Sequence, residues 1–270
     1  MESADESDIV RTEMTAGTKN VNVGGSVRST LTASVLSVIM LAASIMADPA
    51  IQIPDATFNF GRVAQNAKVG HLFWIKSTGN DTLRITKVVP GCGCTQMPLK
   101  DSVLGPGDST ELEVIFSTKG FKGYVTKAPY LETNVNEEKT YLKIYAECMP
   151  EEDTSTTVRV VPGRLDVSQF RDKPRRKATF TILNTTGEDL EITKVLGAPK
   201  YFKLTLPTSV KAHGKAEGSI EVVESMITKD FESAFTIETS DDSHTRYTVP
   251  VTRQYRVKDN SGVTQVSSGK

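Results

Sequence analysis

Asn80–Val88 reads NDTLRITKV and Gly187–Val195 reads GEDLEITKV, so the two segments align without a gap. The offset is 107 residues, since the shared isoleucine stands at positions 85 and 192. The same offset relates three further pairs of apolar residues: Phe73 with Phe180, Ile75 with Ile182, and Phe60 with Val167. Such a repeat indicates that one structural unit of about 100 residues occurs twice along the chain.

Apolar and polar residues alternate in short runs separated by turn signals, which is typical of half-buried β-strands. About seven such strands in roughly 100 residues are typical of an immunoglobulin-like sandwich. The sequence therefore predicts an all-β protein with two tandem immunoglobulin-like β-sandwich domains, and a closed barrel is the alternative. The positions predicted to face the core of the first unit include Phe73 and Ile75; Leu83 and Ile85; Leu112, Val114 and Phe116; and Leu142, Ile144 and Ala146.

The repeat sets the domain boundaries. Residues 52–149 form the first predicted domain, called copy 1 below, and residues 158–254 form the divergent second domain, copy 2. Between them the polar and acidic segment MPEEDTSTT, Met149–Thr157, is typical of a linker. Because each copy has its own set of alternating strands, we expect each to fold separately. Residues 255–270 are predicted to form a flexible tail.

The N-terminal extension, residues 1–47, contains the uncharged apolar run LTASVLSVIMLAASIM at Leu31–Met46. A membrane-spanning helix needs about 20 residues, so this shorter run before Ala47-Asp48-Pro49 predicts a signal peptide. Met14 is a better start than Met1, because the segment before it is acidic. An uncleaved membrane anchor is the alternative. Both interpretations place the domains outside the cytoplasm.

One set of motifs resembles a known family. The chain contains TGNDTLRITKVVPGCGCT, then LGPGDSTELEVIFSTKGFKG, then YLETN before a last strand. This order resembles the bacterial family called domain of unknown function 1573, which is similar to the immunoglobulin-like domains of major sperm protein and of cilium-associated proteins. The resemblance covers Phe58–Cys148, whereas residues 160–252 share only the strand pattern. It implies the fold and a location in the periplasm, in the cell envelope or outside the bacterial cell, and it implies no activity.

Two of the three cysteines lie in the segment PGCGCTQMP, Pro90–Pro98. Cys92, Cys94 and Met97 are soft ligands that could bind Cu(I). A direct bond between Cys92 and Cys94 would close a very small ring, which we expect to be strained. The offset places Pro199 and Tyr201 at the corresponding positions of copy 2, so the fold does not demand thiols there.

The third cysteine, Cys148, continues the inward parity of Ile144 and Ala146, so it is expected to be a small core residue. The end of its strand could also lie near the loop of Cys92. A disulfide from Cys148 to Cys92 or to Cys94 therefore stays open.

We expect no catalysis and no cofactor. The three histidines, His71, His213 and His244, have no spacing that suggests a metal site or a catalytic dyad, so each is interpreted as a solvated polar residue. No nucleophile elbow, phosphate loop or metalloprotease helix is present in the sequence.

Two features are candidates for partner binding. Trp74 lies between the inward positions Phe73 and Ile75 and corresponds to Thr181, so it should face away from the core. It could bind a partner, or it could pack under a loop or against copy 2. The second feature is the basic segment RDKPRRK, in which Arg171, Arg175 and Arg176 could meet an anionic glycan or lipid headgroup, although charged loop residues are usually only solvated.

Two classes of function remain. The formal net charge is -1, which gives no attraction to nucleic acid. The first class is a non-catalytic interaction or scaffold module that binds another protein or a glycan in the envelope. The second is a thiol or soft-metal module that uses Cys92, Cys94, Met97 and Cys148. The membrane is expected to take part only transiently through the signal segment, or as the site of an uncleaved anchor.

Overall fold

The computed structural model describes residues 47–150, 156–170 and 174–256. The predicted signal segment up to Met46, the residues of the tail beyond Arg256, and Arg171 lie outside the described residues. Twenty β-strands account for the regular structure of the described chain, together with one short 3-10 helix, Glu224–Met226. The prediction of an all-β protein is confirmed.

Copy 1 contains eleven strands, several of which are short pieces of a longer strand. Their bounds are β1 Ile51–Gln52, β2 Thr57–Ala64, β3 Lys68–Ser77, β4 Leu83–Val89, β5 Thr95–Gln96, β6 Val103–Leu104, β7 Ser109–Ser117, β8 Gly123–Lys127, β9 Tyr130–Thr133, β10 Thr140–Tyr141 and β11 Lys143–Met149. The first layer is an antiparallel sheet in the order β1-β3-β7-β5.

The second layer of copy 1 has β4 between β6 and β9, with β10 beyond β9. The pairing of β9 with β10 continues in the same register as the pairing of β8 with β11, so these four pieces form one long hairpin. The strand β2 pairs in parallel with β11. Alternate residues of both layers fill a core that includes Phe60, Phe73 and Phe116.

Copy 2 repeats this order. Its strands are β12 Val158–Val161, β13 Leu165–Asp166, β14 Lys177–Asn184, β15 Leu190–Leu196, β16 Phe202–Thr205, β17 Ser209–Val210, β18 Lys215–Val222, β19 Phe231–Thr239 and β20 Arg246–Arg253. One layer has the order β12-β14-β18-β16, which corresponds to β1-β3-β7-β5. The other contains β17-β15-β19-β20, with β13 parallel to β20 as β2 is to β11. The predicted immunoglobulin-like repeat is confirmed by this topology.

The buried residues also confirm the predicted offset. Phe60 and Val167 are both fully buried, as are Ile75 and Ile182. Leu83 is also fully buried, and its counterpart Leu190 is almost fully buried. Each copy has a separate apolar cluster of buried residues. The two clusters are not isolated, because Ala234 of copy 2 belongs to the cluster of copy 1.

The two copies share one sheet, a feature that the sequence did not predict. The strand β2 pairs with β11 of its own copy and also, in parallel, with β20, through Arg62 with Tyr247 and Val63 with Thr248. The result is a continuous path β17-β15-β19-β20-β2-β11-β8 across both copies. Separate folding of the copies stays a prediction, and an isolated copy 2 would expose the edge of β20 that β2 covers here.

Gly61 permits this junction. Between Asn59 and Arg62 the register of β2 against β11 shifts, which marks a β-bulge. Gly61 lies in this bulge with a φ of 63°, a conformation that favours glycine. A Cβ atom on Gly61 would come within 2.3 Å of the carbonyl oxygen of Arg246. The bulge therefore turns β2 from its own copy toward β20, and only a residue without a side chain fits there.

Candidate functional site

The segment of residues 90–94, called the CGC loop, is positioned by the strands at its two ends. Before it, β4 pairs with β9 up to the pair Val89 and Tyr130. After it, β5 pairs with β7 through Thr95 and Phe116. The loop therefore carries the chain from one layer of copy 1 to the other. The corresponding residues of copy 2 lead from β15 to β16 in the same way.

Cys92 and Cys94 are joined by a disulfide, with their Cα atoms 5.2 Å apart. This separation lies within the ordinary range for disulfides of about 4.4 to 6.8 Å, and the expected strain of so small a ring stays a prediction. Gly91, directly before the pair, provides part of the necessary freedom, since it has a φ of 78°.

The third cysteine takes no part in this site. Cys148 is a free, fully buried thiol in β11, where it lies beside Val63 and Gly123. Burial raises the pKa of its thiol, an effect that the charge of Lys127 opposes. The predicted core role is confirmed, and the open possibility of a disulfide from Cys148 is wrong, because Cys92 and Cys94 bond to each other.

The structure does not assemble the proposed soft-metal ligands. Met97 is 8% exposed and belongs to the core of copy 1. In the disulfide form neither Cys92 nor Cys94 offers a thiolate, which is the form of cysteine that binds metals. Within residues 47–150, 156–170 and 174–256, no group of three or more histidine, cysteine, aspartate or glutamate side chains could hold a metal ion.

One hydroxyl that the sequence analysis did not single out lies beside the disulfide. The Oγ1 atom of Thr95 is 3.5 Å from the Sγ atom of Cys92 and 3.9 Å from that of Cys94. Thr95 itself is buried, and its backbone N–H donates to the carbonyl oxygen of Cys92 at 3.3 Å. On the other side, the N–H of Ser117 donates to the carbonyl oxygen of Cys94 at 2.8 Å. These bonds fix the loop against β7.

A second candidate site lies on the outer surface of the first layer. Trp74 of β3 is directly opposite Glu111 of β7, and Leu72 is opposite Glu113. Directly opposed residues of antiparallel strands lie on the same face of the sheet. Trp74 is 49% exposed and Leu72 is 37% exposed. We call these four residues the aromatic face.

The prediction that Trp74 faces away from the core is confirmed, because its neighbours Phe73 and Ile75 are buried. Neither a loop nor copy 2 covers Trp74 fully within the part of the chain that the structure describes. Leu72, Glu111 and Glu113 were missed, although the outward parity of Leu72 with Trp74 could have indicated the first of them. Burial raises the pKa of the Glu113 carboxyl; the charge of Lys200 lowers it, and that of Glu111 raises it further.

The basic segment is only partly described. Arg175 and Arg176 are exposed, as predicted for a solvated loop. The carbonyl oxygen of Arg175 accepts a hydrogen bond of 2.7 Å from the buried Arg253. The guanidinium of Arg176 lies 3.4 Å from a carboxylate oxygen of Glu224. The neighbouring Lys177 pairs with Glu221 at 3.1 Å, so acidic residues offset part of the positive charge.

The interpretation of His71 as a solvated residue is wrong. Its ring stacks on Phe58 with a centroid distance of 3.7 Å and meets the edge of Phe73 at 4.6 Å. Burial lowers the pKa of His71 from 6.5 to about 4, and Asp55 opposes this shift. His71 shares the inward parity of Phe73 in β3, which explains its position. His213 and His244 are exposed, as predicted, and both have a positive φ.

These observations define a tandem immunoglobulin-like β-sandwich protein. Residues 51–148 match the model of the family described as "Protein of unknown function (DUF1573)". The match spans copy 1 and confirms the resemblance on the segment that carries the CGC loop. No curated protein matches the sequence. The part of the chain that the structure describes contains no helix long and apolar enough to cross a membrane.

Solved structures are similar only at a low level. A protein of unknown function from Porphyromonas gingivalis W83 has 13% identity and a TM-score of 0.31, over 75% of this chain and 98% of that one. Domains 5-6 of the S-layer protein SbsC have 11% identity and a TM-score of 0.24, over 76% of this chain and 98% of that one. A three-domain segment of titin has 12% identity and a TM-score of 0.23, over 78% of this chain and 67% of that one. Scores this low carry no argument about function.

Proposed function

We propose that this protein is a non-catalytic interaction module of the cell envelope, and that it binds another protein through the aromatic face of copy 1. The observation that carries the proposal is the half-exposed Trp74 beside the exposed Leu72 on a rigid sheet. Exposed tryptophan is enriched at the energetic centre of protein interfaces, because burial of its large ring gives much of the binding free energy.

The edge of the sheet supports the same role. On the side of β3 away from β7, the strand pairs with β1 only at Lys76 and Ser77. Trp74 and Leu72 therefore lie on a stretch of β3 that has one strand partner in this sheet. Copy 2 covers part of this edge, because Lys68 of β3 forms an ion pair of 2.5 Å with Glu232 of β19. An extended segment of a partner could therefore pair only with the stretch of β3 near Trp74, where it would place its own side chains against the tryptophan.

The charge of the face indicates the chemistry of the partner. Glu111 and Glu113 lie on the same face as the two apolar side chains. The charge of Lys200 already stabilises the Glu113 carboxylate, so a partner that buries Trp74 would have to satisfy mainly Glu111, since an unpaired buried charge is costly. We therefore expect a protein surface with apolar residues flanked by lysine or arginine. The basic segment is a weaker candidate, because Arg176 already pairs with Glu224.

The envelope location rests on the sequence of Leu31–Met46. The run is apolar and uncharged and precedes a small residue at position 47, as in exported precursors. Sequencing the N-terminus of the protein recovered from an envelope fraction tests this part. A start near Asp48 would support export with cleavage, and a chain that retains Leu31–Met46 would indicate an anchor.

The binding proposal is tested by cross-linking in intact cells. A photo-reactive amino acid replaces Trp74 in one variant and Tyr141 in a control variant. Tyr141 is a suitable control because it is also 49% exposed but lies on the opposite layer of copy 1. The expected result is a defined protein adduct from position 74 that position 141 does not give. Equal labelling from both positions, or adducts with glycan alone, would contradict the proposal.

A further inference from the structure

We propose that the Cys92–Cys94 disulfide is a redox-active site that accepts two electrons from a dithiol, either on another exported protein or on a small molecule. This activity is separate from partner binding by the aromatic face. The site consists of the two sulfurs, the hydroxyl of Thr95, and the open backbone of Gly91 and Gly93.

The disulfide is not needed to build the fold. In copy 2 the same connection between layers contains Pro199 and Tyr201 in place of the cysteines. Tyr201 packs against the core of copy 2, as Cys94 packs against the core of copy 1. A bond between residues only two positions apart also restricts the unfolded chain little, since this effect grows with the length of the closed loop. A structural role therefore does not account for the pair.

The disulfide is open to a reductant. Cys92 and Cys94 are both partly exposed, and the adjacent Gly91 and Gly93 are exposed. A Cβ atom placed on either glycine would meet no heavy atom within 4 Å. Exposed disulfides are more readily reduced than buried structural ones. Cys148 provides an internal contrast, because it is a fully buried thiol.

Thr95 supplies the stabilising group. Its hydroxyl lies 3.5 Å from the Sγ atom of Cys92 and 3.9 Å from that of Cys94. A thiolate that leaves the disulfide can accept a hydrogen bond from this hydroxyl, and hydrogen bonding to the charged form lowers a thiol pKa. A leaving thiol with a lower pKa departs faster in exchange. Because Thr95 is buried and held by β5, its hydroxyl is already in place before reduction.

The exchange takes place in two steps. In the first, one thiolate of the dithiol attacks one sulfur of the pair, the bond between Cys92 and Cys94 breaks, and a mixed disulfide forms. The released cysteine sulfur takes up a proton. In the second step, the other thiolate of the dithiol attacks the dithiol sulfur that is bound in the mixed disulfide. This attack releases the second cysteine, whose sulfur is also protonated. The dithiol is thereby oxidised to a disulfide, and the pair is reduced by two electrons and two protons.

The first experiment measures reduction of the folded, purified protein by dithiothreitol, with alkylation and mass spectrometry of each cysteine. We expect Cys92 and Cys94 to become alkylated while the protein stays folded, and Cys148 to become alkylated only on unfolding. Re-oxidation by oxidised dithiothreitol should restore the pair. Resistance of the pair to dithiothreitol until the protein unfolds would overturn the proposal.

The second experiment tests the role of Thr95. Thr95→Val removes the hydroxyl but keeps the shape, and it should slow reduction of the pair about tenfold, as expected for the loss of one hydrogen bond to a charged group. Thr95→Ser restores a hydroxyl and should recover most of the rate. A reduction rate that is the same in all three proteins would contradict the assigned role of the hydroxyl.

The third experiment supplies a reduced peptide that contains two cysteines. The oxidised protein should convert the peptide to its disulfide form with a stoichiometry approaching one, and the variant with both Cys92→Ser and Cys94→Ser should not. Equal peptide oxidation by the double variant would show that the pair does not carry the electrons. Because this assay contains no envelope partner, its outcome is independent of the binding proposal.

Discussion

The hydroxyl of Thr248 donates a hydrogen bond of 2.6 Å to the carbonyl oxygen of Phe60, although the two residues are 188 positions apart. Phe60 belongs to copy 1 and Thr248 to copy 2, and both are buried. Since Thr248 uses its hydrogen for Phe60, the hydroxyl of Thr236, 2.7 Å away, donates to Thr248. This chain of hydroxyls fixes β2 against β20 where the two sandwiches share a sheet.

Replacement of Thr248 by valine should lower the free energy of unfolding by about 1–3 kcal/mol, because the carbonyl of Phe60 and the hydroxyl of Thr236 lose a buried partner. Urea denaturation measures this difference. Thr252→Val in the same strand is the control: Thr252 is only partly buried, and its variant should stay within about 0.5 kcal/mol of wild type. Equal effects of both substitutions would mean that the bond does not hold the junction.

Gly61→Ala should destabilise the protein more than Gly107→Ala. Both glycines have a positive φ, 63° and 84°, so both substitutions carry the backbone cost of about 1–2 kcal/mol. Only at Gly61 would the added Cβ meet another strand, at 2.3 Å from the carbonyl oxygen of Arg246. The excess should be at least about 1 kcal/mol in urea denaturation. An equal loss in the two variants would show that β2 can move away from β20 to make room for the Cβ atom without lowering the free energy of unfolding.

His71 should make stability depend on pH. Its pKa is about 4 in the folded protein against 6.5 for the free side chain. Above about pH 6.5 both states hold a neutral ring, so no penalty arises. As pH falls toward 4, the unfolded chain gains the proton first, and stability drops by at most about 3 kcal/mol, less where solvent screens the site.

The variant His71→Phe tests this linkage, since a phenyl ring can stack on Phe58 and does not titrate. As pH falls from about 7 to 4, the wild type should lose stability that the variant keeps. The free energy of unfolding of the variant should therefore rise relative to that of the wild type over this range. His244→Asn, an exposed turn residue with positive φ, is the control. A constant difference across this range would contradict the burial of His71.

Replacing Cys92 and Cys94 together by serine should change the free energy of unfolding by less than about 2 kcal/mol. The physical reason is that the closed loop is very short, so the disulfide removes little entropy from the unfolded chain. Thermal or urea denaturation under non-reducing conditions measures the change. A variant that cannot fold, while copy 2 alone remains folded, would make the disulfide a structural element of copy 1.

Much of the fold was predictable from the sequence, because the two copies carry the same alternation. The parity that buried Phe73 and Ile75 and exposed Trp74 follows from the period of a strand. The same rule applied to His71 would have placed it in the core, but a polar imidazole ring is also common at solvated positions, and this tendency opposes the parity.

The junction between the copies could not be predicted. Val63 and Thr248 alternate correctly for pairing within their own copies, and nothing in their sequence context specifies a partner 185 positions away. The state of Cys92 and Cys94 was also open, since their spacing fits a thiol pair, a metal site and a disulfide equally well. Thr95 gained a role only when the loop brought its hydroxyl beside both sulfurs.

The most direct test of the interaction module is the affinity of the protein partner that cross-links to position 74. Trp74→Ala should weaken binding of that purified partner at least about 30-fold, or about 2 kcal/mol, because burial of its half-exposed ring is expected to give much of the binding free energy. Tyr141→Ala, with the same exposed fraction, should change the affinity less than about threefold. An unchanged affinity for the Trp74 variant, or equal losses in both variants, would contradict the account.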